Sequence, residues 1–444
     1  SSSDGRVSEV WEKLYFVINR ANFMLEILEK PEVIKVIKTP GMKDQFRGEA
    51  LFLRSWANYR LWDMFRKAPL QNARLTDIDA AVVPPTQGFQ LLDTVIANLK
   101  EAASLLPASW SDKYKGRVFK NSAYGLLVKS YVLRACYASK YGANQNDDYA
   151  KAIAAFKNIS GESTIEGVLF GDNFDYRKEN NAESLYEYQS SWAQKEDNAW
   201  LDNNFGGESG AMGVMYHYFD THWGNYGSGG IFGPSPKLVS SFDAEDPRRA
   251  ETFRKAEDVD NVGGALWWLG SSWSFFNGYQ FVKYINGARG NIYETSWQIH
   301  SGNNPRILRL ADVKLAVAEA YLKTGDAGSA TKEVNDIRKR ARRSTPDGSV
   351  SAVPADYGSV TMQNIMDERL LELAGEEDFR WSDLKRWHAA GYINLANWTA
   401  EDFGYPFNPL LFEFDALKHV LLPIPSVEIN RNPLINAAGN NPGY

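Results

Sequence analysis

Three stretches of the chain repeat one spacing of apolar residues, and this repeat limits the fold more than any other feature. In each stretch the apolar positions stand at offsets 0, 4 and 7, which places them on one face of a helix. The positions are Val95, Leu99 and Ala102; Ala152, Phe156 and Ile159; and Ala330, Val334 and Ile337. Such a face must be buried against another helix. The repeat therefore predicts a fold of stacked helices.

The connection that a helical repeat needs lies just before the stretch that begins at Ala330. A helical pattern ends at Lys323, and the turn Thr324-Gly-Asp326 follows it. The three apolar positions then come 5, 9 and 12 residues after Gly325, which are the offsets of a tetratricopeptide unit. The small side chain of Ala330 lets the two helices approach each other closely.

Partner helices are predicted by apolar residues at helical spacing over 46–65 and 121–138. Helix pairs should therefore occupy 7–160 and 306–390. We expect a mainly α fold in which tetratricopeptide-like pairs form a right-handed superhelical scaffold, all within a single domain over 1–444.

Residues 161–305 are expected to form an irregular, loop-rich insertion. Glycine pairs interrupt the helical pattern there, and seven of the 14 Trp lie in this part of the chain. Alternation with period two predicts short strands at 184–189 and 279–284. Residues 391–444 are expected to form an ordered tail that wraps the scaffold, because 421–425 is too apolar to remain in water.

Charge and hydropathy argue against a nucleic-acid partner and against a membrane-spanning segment. The 49 basic and 55 acidic residues give a net charge of −6, and no basic block matches a phosphate backbone, so a nucleic acid is not expected. The apolar run 308–322 contains charged residues and is shorter than the ~20 residues that span a bilayer. We expect no membrane-spanning segment.

The acidic cluster Glu376-Glu377-Asp378 invites comparison with the paired carboxylates of a glycosidase. Neighbouring residues of a helix point about 100° apart, so they do not flank one glycosidic bond. Ion pairs and helix caps are the preferred interpretation for the alternating charges nearby, which are Arg369, Glu372, Glu377, Arg380, Asp383 and Arg386.

Two groups of residues could suggest a metal site, but neither has the ligand spacing of one, and we expect no bound metal. His217 and His222 flank Asp220, but a separation of five residues does not place both imidazoles on one helical face. The acidic stretch 172–175 lacks the regular oxygen-ligand loop of a calcium site. No nucleophile or cofactor motif is found, so we expect no enzyme activity and no cofactor.

Several motifs, in order along the chain, carry a family resemblance. They are Asn19-Arg-Ala-Asn22 within the helix 11–28, Gly48-Glu-Ala-Leu-Phe-Leu-Arg-Ser-Trp56, Asp246-Pro-Arg-Arg249, Glu368-Arg-Leu-Leu-Glu372 leading into 377–387, Leu422-Pro-Ile-Pro425, Asn430-Arg-Asn-Pro433 and Asn441-Pro-Gly-Tyr444. Together they resemble the SusD/RagB-like glycan-binding lipoproteins of Bacteroidetes outer membranes. The chain departs from the family pattern at Arg66-Lys67-Ala68, where Phe-Gly or Tyr-Gly is usual, and at Glu377-Asp378, where Glu-Gly is usual.

The resemblance implies a protein of the cell surface. It would capture an oligosaccharide or polysaccharide and deliver it to a SusC-like TonB-dependent transporter. A lipid on an N-terminal segment absent from this chain would hold it to the outer membrane.

The insertion supplies the candidate site. An indole ring can cover the C–H face of a pyranose, and amide side chains can bind its hydroxyl groups. We predict that the ligand site consists of four rings and two amides: Trp223, Trp267, Trp268, Trp273, Asn225 and Asn277. Two alternatives remain open. The chain would be an α-helical glycoside hydrolase if two carboxylates faced an open cleft, or a tetratricopeptide-type adaptor if a peptide bound the concave helical face.

Overall fold

The computed structural model shows a mainly helical protein that divides into two compact units. The first unit is Ser1–Glu162 with Trp381–Asn397 and Glu413–Tyr444, and the second is Ser163–Arg380 with Trp398–Phe412. The residues that the structure describes are 1–77, 79–190, 234–255, 279–281, 283–284, 303–376, 379–405 and 407–444.

The first unit is built from helices in sequence order. They are α1 (Gly5–Ile27), α2 (Pro31–Val36), α3 (Met42–Phe65), α4 (Gln90–Leu105), α5 (Lys120–Cys136), α6 (Ala138–Tyr141) and α7 (Gln145–Phe156). The helix α13 (Phe379–Ala389) enters this unit at Trp381, and α15 (Ser426–Arg431) and α16 (Pro433–Ala438) lie in its tail. Each long helix packs on the next: α1 on α3, α3 on α4, α4 on α5, and α5 on α7.

The repeat spacing holds in this unit, with one correction. Val95, Leu99 and Ala102 of α4 are fully buried, as their spacing predicts. The helix that contains Ala152 and Phe156 was predicted to continue to Ile159. In the structure it begins at Gln145 and already ends at Phe156. Asn144 fixes its start, because the Asn144 side chain accepts hydrogen bonds from the first turn.

The C-terminal tail lies against the end of α3. The Leu422 N–H donates to the Met64 carbonyl (2.8 Å), and the Asn441 side-chain amide donates to the Phe65 carbonyl (2.8 Å). Ile424 is fully buried. The tail is fixed in two ways. Its apolar segment is buried, and its N–H groups pair with carbonyls at the end of α3 that have no partner within the helix.

The second unit combines helices with two small sheets. Its helices are α8 (Pro236–Ser241), α9 (Pro247–Thr252), α10 (Leu310–Lys323), α11 (Ala327–Arg342), α12 (Met362–Leu373) and α14 (Ala400–Phe403). The pair α10 and α11 forms the predicted repeat unit. Ala330, Val334 and Ile337 are fully buried, and Gly325 in the turn adopts φ of 90°, where a side chain would strain the backbone.

Both sheets in the described part of this unit are two-stranded and antiparallel. β1 (Ser184–Glu187) pairs with β4 (Arg306–Arg309), and β2 (Phe253–Lys255) pairs with β3 (Tyr279–Phe281). The strand predicted over 279–284 is shorter than expected and ends at Phe281. Tyr284, at the end of the predicted range, adopts φ of 61°, which extended backbone does not allow. Among the described residues, none of the helices has the length and apolar character that crossing a bilayer requires.

Candidate functional site

All six predicted site residues lie outside the described residues. Trp223 and Asn225 fall within 191–233, and Trp267, Trp268, Trp273 and Asn277 fall within 256–278. The weak metal candidates His217, Asp220 and His222 also fall outside the described part of the chain. The structure does describe the residues from which both segments start and to which they return.

The β2–β3 ribbon joins the two ends of the segment 256–278. Phe253 pairs with Phe281, and Lys255 pairs with Tyr279, so the chain leaves and re-enters the ribbon at adjacent positions. The fully buried Phe253 ring packs edge-on against Phe242 (5.3 Å between centroids) and Tyr279 (5.4 Å). Because aromatic packing anchors the ribbon, the ends of the tryptophan-bearing segment are fixed.

A basic residue of α9 braces the same ribbon. The Arg249 guanidinium donates to the Tyr279 hydroxyl (2.8 Å) and lies over the Phe253 ring, 5.4 Å from its centroid. Arg249 belongs to the Asp246-Pro-Arg-Arg249 motif, whose aspartate caps α9 by accepting from the Arg248 N–H. This motif therefore supports the ribbon that joins the two ends of the segment 256–278.

The β1–β4 ribbon joins the two ends of the stretch 191–302 in the same way. Beyond the strands, the Tyr188 N–H donates to the Pro305 carbonyl (3.0 Å), and the Ser190 N–H donates to the Asn304 side chain (2.7 Å). The Asn304 amide also donates to Glu187 (2.9 Å). Hydrogen bonds thus connect the two ends of the stretch 191–302 as far as Ser190 and Asn304.

A half-buried carboxylate lies at this junction. Glu179 accepts a hydrogen bond of 2.6 Å from the Asn304 N–H. Burial raises the pKa of Glu179 to about 7, and the neighbouring negative charge of Glu187 adds to the increase. Glu179 therefore changes charge near neutral pH, beside the closure of the insertion.

A buried ionic network lies where β4 meets α12. Arg309 donates to three carboxylates: Glu183 (2.7 Å), Glu372 (2.6 Å) and Glu376 (2.6 Å). Arg340 donates to Glu183 (2.7 Å) and to Glu372. The side chains of all five residues are fully buried. Each charge is thus matched by an opposite charge within hydrogen-bonding distance.

The network also joins two motifs that are far apart in sequence. Arg248 donates to Asp246 (2.8 Å), Glu368 (2.6 Å) and Glu372 (3.0 Å). Although burial alone would raise the pKa of Glu372, the positive charges of Arg340, Arg309 and Arg248 hold it at about 2. Glu372 therefore remains a carboxylate across the physiological range.

The predicted ion-pairing role of the charged signature is confirmed for Arg369, Glu372, Asp383 and Arg386. Besides Glu372, Arg369 donates to Asp312 (2.7 Å) and Arg386 pairs with Asp383 (2.8 Å). Glu377 lies outside the described residues.

The acidic cluster does not present Glu376 to a substrate. Glu376 is 3% exposed and accepts from Arg309 and Lys283 (2.8 Å). Burial lowers the pKa of Lys283 to about 8, although the adjacent Glu376 opposes the decrease. A buried carboxylate held by two cations lacks the access to a substrate that a catalytic acid needs.

The acidic stretch at 172–175 is also engaged in ion pairs. Asp172 pairs with Lys178 (2.7 Å), and Asp175 pairs with Arg177 (2.7 Å). These carboxylates bind neighbouring side chains of the same loop and not a common centre.

Sequence reasoning missed the distant partners of the signature, which are Glu183, Lys283, Arg309 and Arg340. Glu183 and Lys283 lie outside the helices and strands, Arg309 ends β4, and Arg340 belongs to α11. Their ion-pair partners are 32 to 157 residues away in sequence. The one available signal was a charge inside an apolar pattern, as with Arg309 between Leu308 and Leu310.

Two family models match the chain. The model of the SusD family matches residues 271–444, and one described as starch-binding associating with outer membrane matches residues 1–132. Both are models of SusD-like proteins, the class that the helical repeats and the motifs resemble. The chain belongs to the SusD/RagB-like family.

Relatives and solved structures match nearly the whole chain. The SusD-like protein P25 of Formosa agariphila is 23% identical over 99% of this chain and 80% of its own length. A laminarin-binding SusD-like protein superposes with a TM-score of 0.68 at 23% identity, over 98% of this chain and 85% of its own. Surface glycan-binding protein A of Bacteroides thetaiotaomicron, in complex with laminarihexaose, superposes with a TM-score of 0.68 at 20% identity, over 97% and 85%. These likenesses confirm the predicted fold class.

Proposed function

We propose that this chain binds an oligosaccharide without hydrolysing it. The site would be centred on Trp267, Trp268, Trp273 and Trp223, whose rings would cover the C–H faces of the sugar units. Asn225 and Asn277 would bind the hydroxyl groups at the rim. Displacement of water from the apolar faces would supply much of the affinity, because sugar hydroxyls gain little net free energy when they exchange water for protein.

The observation that carries this proposal is the β2–β3 closure of the segment 256–278. A loop with free ends loses much conformational freedom when it binds, and this loss weakens affinity. Here Lys255 and Tyr279 pair across the ribbon, and Phe253 anchors it in the core. Fixing the ends lowers the cost of ordering three of the four tryptophans on the ligand.

Binding without catalysis is supported by the state of the acidic signature. Glu372 and Glu376 are buried and neutralised by arginine and lysine side chains. A glycosidase would need two carboxylates separated by roughly 5 to 9 Å across a cleft that admits the sugar. Buried and paired carboxylates do not meet this requirement.

The solved relatives favour a glycan over a peptide as ligand. One of the structurally similar proteins binds laminarin, and another is in complex with laminarihexaose. We therefore infer a glycan as the ligand of this chain.

The proposed place of action is the cell surface. The family model over residues 1–132 describes association with the outer membrane. We propose that a lipid anchor on a preceding segment holds the protein there, and that it passes the glycan to a SusC-like TonB-dependent transporter.

A panel titration tests the binding half of this proposal. The purified chain is titrated by calorimetry with β-1,3-glucan, xyloglucan and α-1,4-glucan oligosaccharides, and each mixture is then incubated and analysed for shorter products. We expect saturable binding of at least one class with no product formed. Steady release of products, abolished by a single Asp or Glu substitution, would show instead that the chain is a hydrolase.

A further inference from the structure

Arg66 is a buried arginine that forms no ion pair with any described carboxylate. It follows the end of α3 and is 7% exposed. Its Nη1 is buried and has no hydrogen-bond partner among the described residues. The buried Arg248, Arg309 and Arg340 of the second unit each pair with carboxylates instead. Because a buried charge without a counter-charge is costly, the surroundings of Arg66 favour an anion.

The backbone at Arg66 adopts a conformation that glycine would favour. Arg66 has φ of 64° and ψ of −58°, and this φ strains a residue that carries a side chain. The chain departs from the family pattern at the same position. Glycine would relieve the strain but would remove the guanidinium. The strained backbone thus indicates that the arginine side chain has a role of its own.

Two aromatic rings fix the position of the guanidinium. Its Cζ lies 3.5 Å from the ring centroid of Trp62 and 4.1 Å from that of Tyr137. Trp62 is fully buried, and its indole N–H donates to the Gly88 carbonyl (2.9 Å). Cation–π contacts engage the face of a guanidinium, so its N–H edge stays available to an oxyanion.

The acidic residue closest to Arg66 in α3 has partners of its own. Asp63 lies 3.1 Å from the Lys385 Nζ and accepts from the Ser382 hydroxyl. Although burial alone would raise the pKa of Asp63, the positive charges of Lys385, Arg60 and Arg66 hold it at about 2. Asp63 therefore takes its ion pair and its hydrogen bond from α13, and Arg66 acts on it only at longer range.

A second cation lies near Arg66 at the surface of the first unit. Lys140 of α6 is exposed, and its Nζ lies 5.7 Å from the ring centroid of Tyr141. Partial burial lowers the pKa of Lys140, and the positive charge of Arg66 lowers it further. The Tyr141 ring also packs on Tyr137, with 6.5 Å between centroids. An anion near both cations would offset their mutual repulsion.

We propose that Arg66 and Lys140 form a binding site for one oxyanion, a carboxylate or sulfate group. The guanidinium edge of Arg66 would donate two hydrogen bonds to it, and the Lys140 ammonium would add a point charge. The partly exposed Tyr141 ring would cover the apolar face of a sugar that carries the group. An acidic sugar and a free inorganic anion share this chemistry. The site lies in the first unit, so it does not depend on the proposed role of the tryptophans.

Calorimetric titration of the full chain at constant ionic strength tests the site. The ligands are glucuronate and glucose sulfate, the free anions acetate and sulfate, and neutral glucose. The variants are Arg66→Gln and Lys140→Gln, with Arg74→Gln as the matched control. Arg74 also lies over a ring, 4.5 Å from the Phe23 centroid, but it is exposed and lies 4.0 Å from Glu26.

The unmodified chain should bind at least one of the anions saturably. Arg66→Gln should lose about tenfold or more in affinity for that anion and Lys140→Gln about threefold or more, while Arg74→Gln should lose none. Glucose should bind to all four proteins equally or not at all. Because Lys140 is exposed, Lys140→Gln should keep the Tm of the unmodified chain even if Arg66→Gln lowers it.

The absence of saturable binding of any anion would overturn the proposal, as would equal anion affinities of the unmodified chain, Arg66→Gln and Lys140→Gln. An equal loss in Arg74→Gln would also overturn it, because the effect would then be a general attraction of charge. Where the proposal holds, tighter binding of glucuronate or glucose sulfate than of acetate or sulfate would identify an acidic sugar as the ligand. Equal binding of the sugar and the free anion would identify a site for the anion alone.

Discussion

Arg309 binds Glu372 twice, once through the side chain and once through the backbone. Its Nη1 lies 2.6 Å from the Glu372 carboxylate, and its Nη2 lies 2.8 Å from the Glu372 carbonyl oxygen. The carbonyl belongs to the last turn of α12, where intrahelical partners run out. One guanidinium thus joins the end of β4 to the end of α12 and neutralises a buried charge.

Removal of the Glu372 charge should therefore be costly. Glu372→Gln would leave Arg248, Arg309 and Arg340 buried with one carboxylate fewer, and we expect a loss of about 3–5 kcal/mol in the free energy of unfolding. Denaturant unfolding measures this loss. The control Glu29→Gln breaks an exposed pair with Lys43 and should cost less than about 1 kcal/mol. Similar losses in both variants would contradict the role given to the buried network.

Gly375, just after α12, lies so close to the β2–β3 ribbon that a side chain there should lower the stability of the protein. A methyl group on Gly375 would lie 2.8 Å from the Phe281 ring of β3, and Gly375 adopts φ of 71°. Gly325 has a similar φ of 90°, yet nothing lies within 4 Å of an added methyl. Gly375→Ala should therefore cost about 1–3 kcal/mol more than Gly325→Ala, through overpacking.

Glycan affinity provides the second readout for this pair. Because Phe281 belongs to the ribbon that closes 256–278, Gly375→Ala should weaken oligosaccharide binding and Gly325→Ala should not. Equal affinities of the two variants, measured by calorimetry under conditions where both are folded, would argue that the ribbon does not position the site.

The repeat register can be tested within one helix. Ala330→Trp would overpack the fully buried contact of α11 with α10 and should cost about 1–3 kcal/mol or more. Lys339→Trp places the same ring on an exposed position of α11 and should leave thermal unfolding nearly unchanged. If the two melting temperatures fall by the same amount, burial at Ala330 is not the cause.

Stability should fall between about pH 4.5 and pH 7, because Glu179, at the junction that closes 191–302, loses its proton over this range. The pKa of Glu179 is raised to about 7 in the folded chain, above the ordinary 4.5, so the folded state binds the proton more tightly. The stabilisation is complete below pH 4.5 and is lost as pH rises through about 7. Since Glu179 is partly exposed, we expect a contribution of about 1–2 kcal/mol.

Urea unfolding at pH 5.5, 7 and 8.5 measures this loss. Glu179→Gln, which is neutral at every pH, should flatten the decline between pH 5.5 and 8.5. A decline of unchanged size in Glu179→Gln would assign it to other groups.

The helical part of the fold could be predicted because its signal is local. The spacing of Ala330, Val334 and Ile337 reports a buried helix face within eight residues, and the turn at Gly325 fixes where the pair folds back. The end of α7 was predicted three residues too late, since the apolar Ile159 continues the pattern after the helix has ended at Phe156.

The ionic network could be predicted only in part because its signal is not local. The alternating charges of the signature indicated ion pairs, but the partners of Glu372 come from α9, β4 and α11. No spacing rule relates Arg248, Arg309 and Arg340 to Glu372, because tertiary packing brings them together. The same holds for the ribbon closure, where the sequence indicated a strand at Tyr279 but not its pairing with Lys255.

The central claim is that the tryptophans of the insertion bind the sugar, and calorimetric titration of single variants tests it most directly. Trp223, Trp267, Trp268 and Trp273 are each changed to Ala, with Trp110→Ala of the helical unit as control. A ring that carries a sugar should cost about 2 kcal/mol when truncated, about thirtyfold in Kd, with little change in Tm. We predict this result for at least one of the four, and unchanged affinity for the control. Four variants that keep both affinity and Tm would contradict the claim. Four variants that each lose several kcal/mol in the free energy of unfolding, as the truncation of a buried ring would cause, would also contradict it.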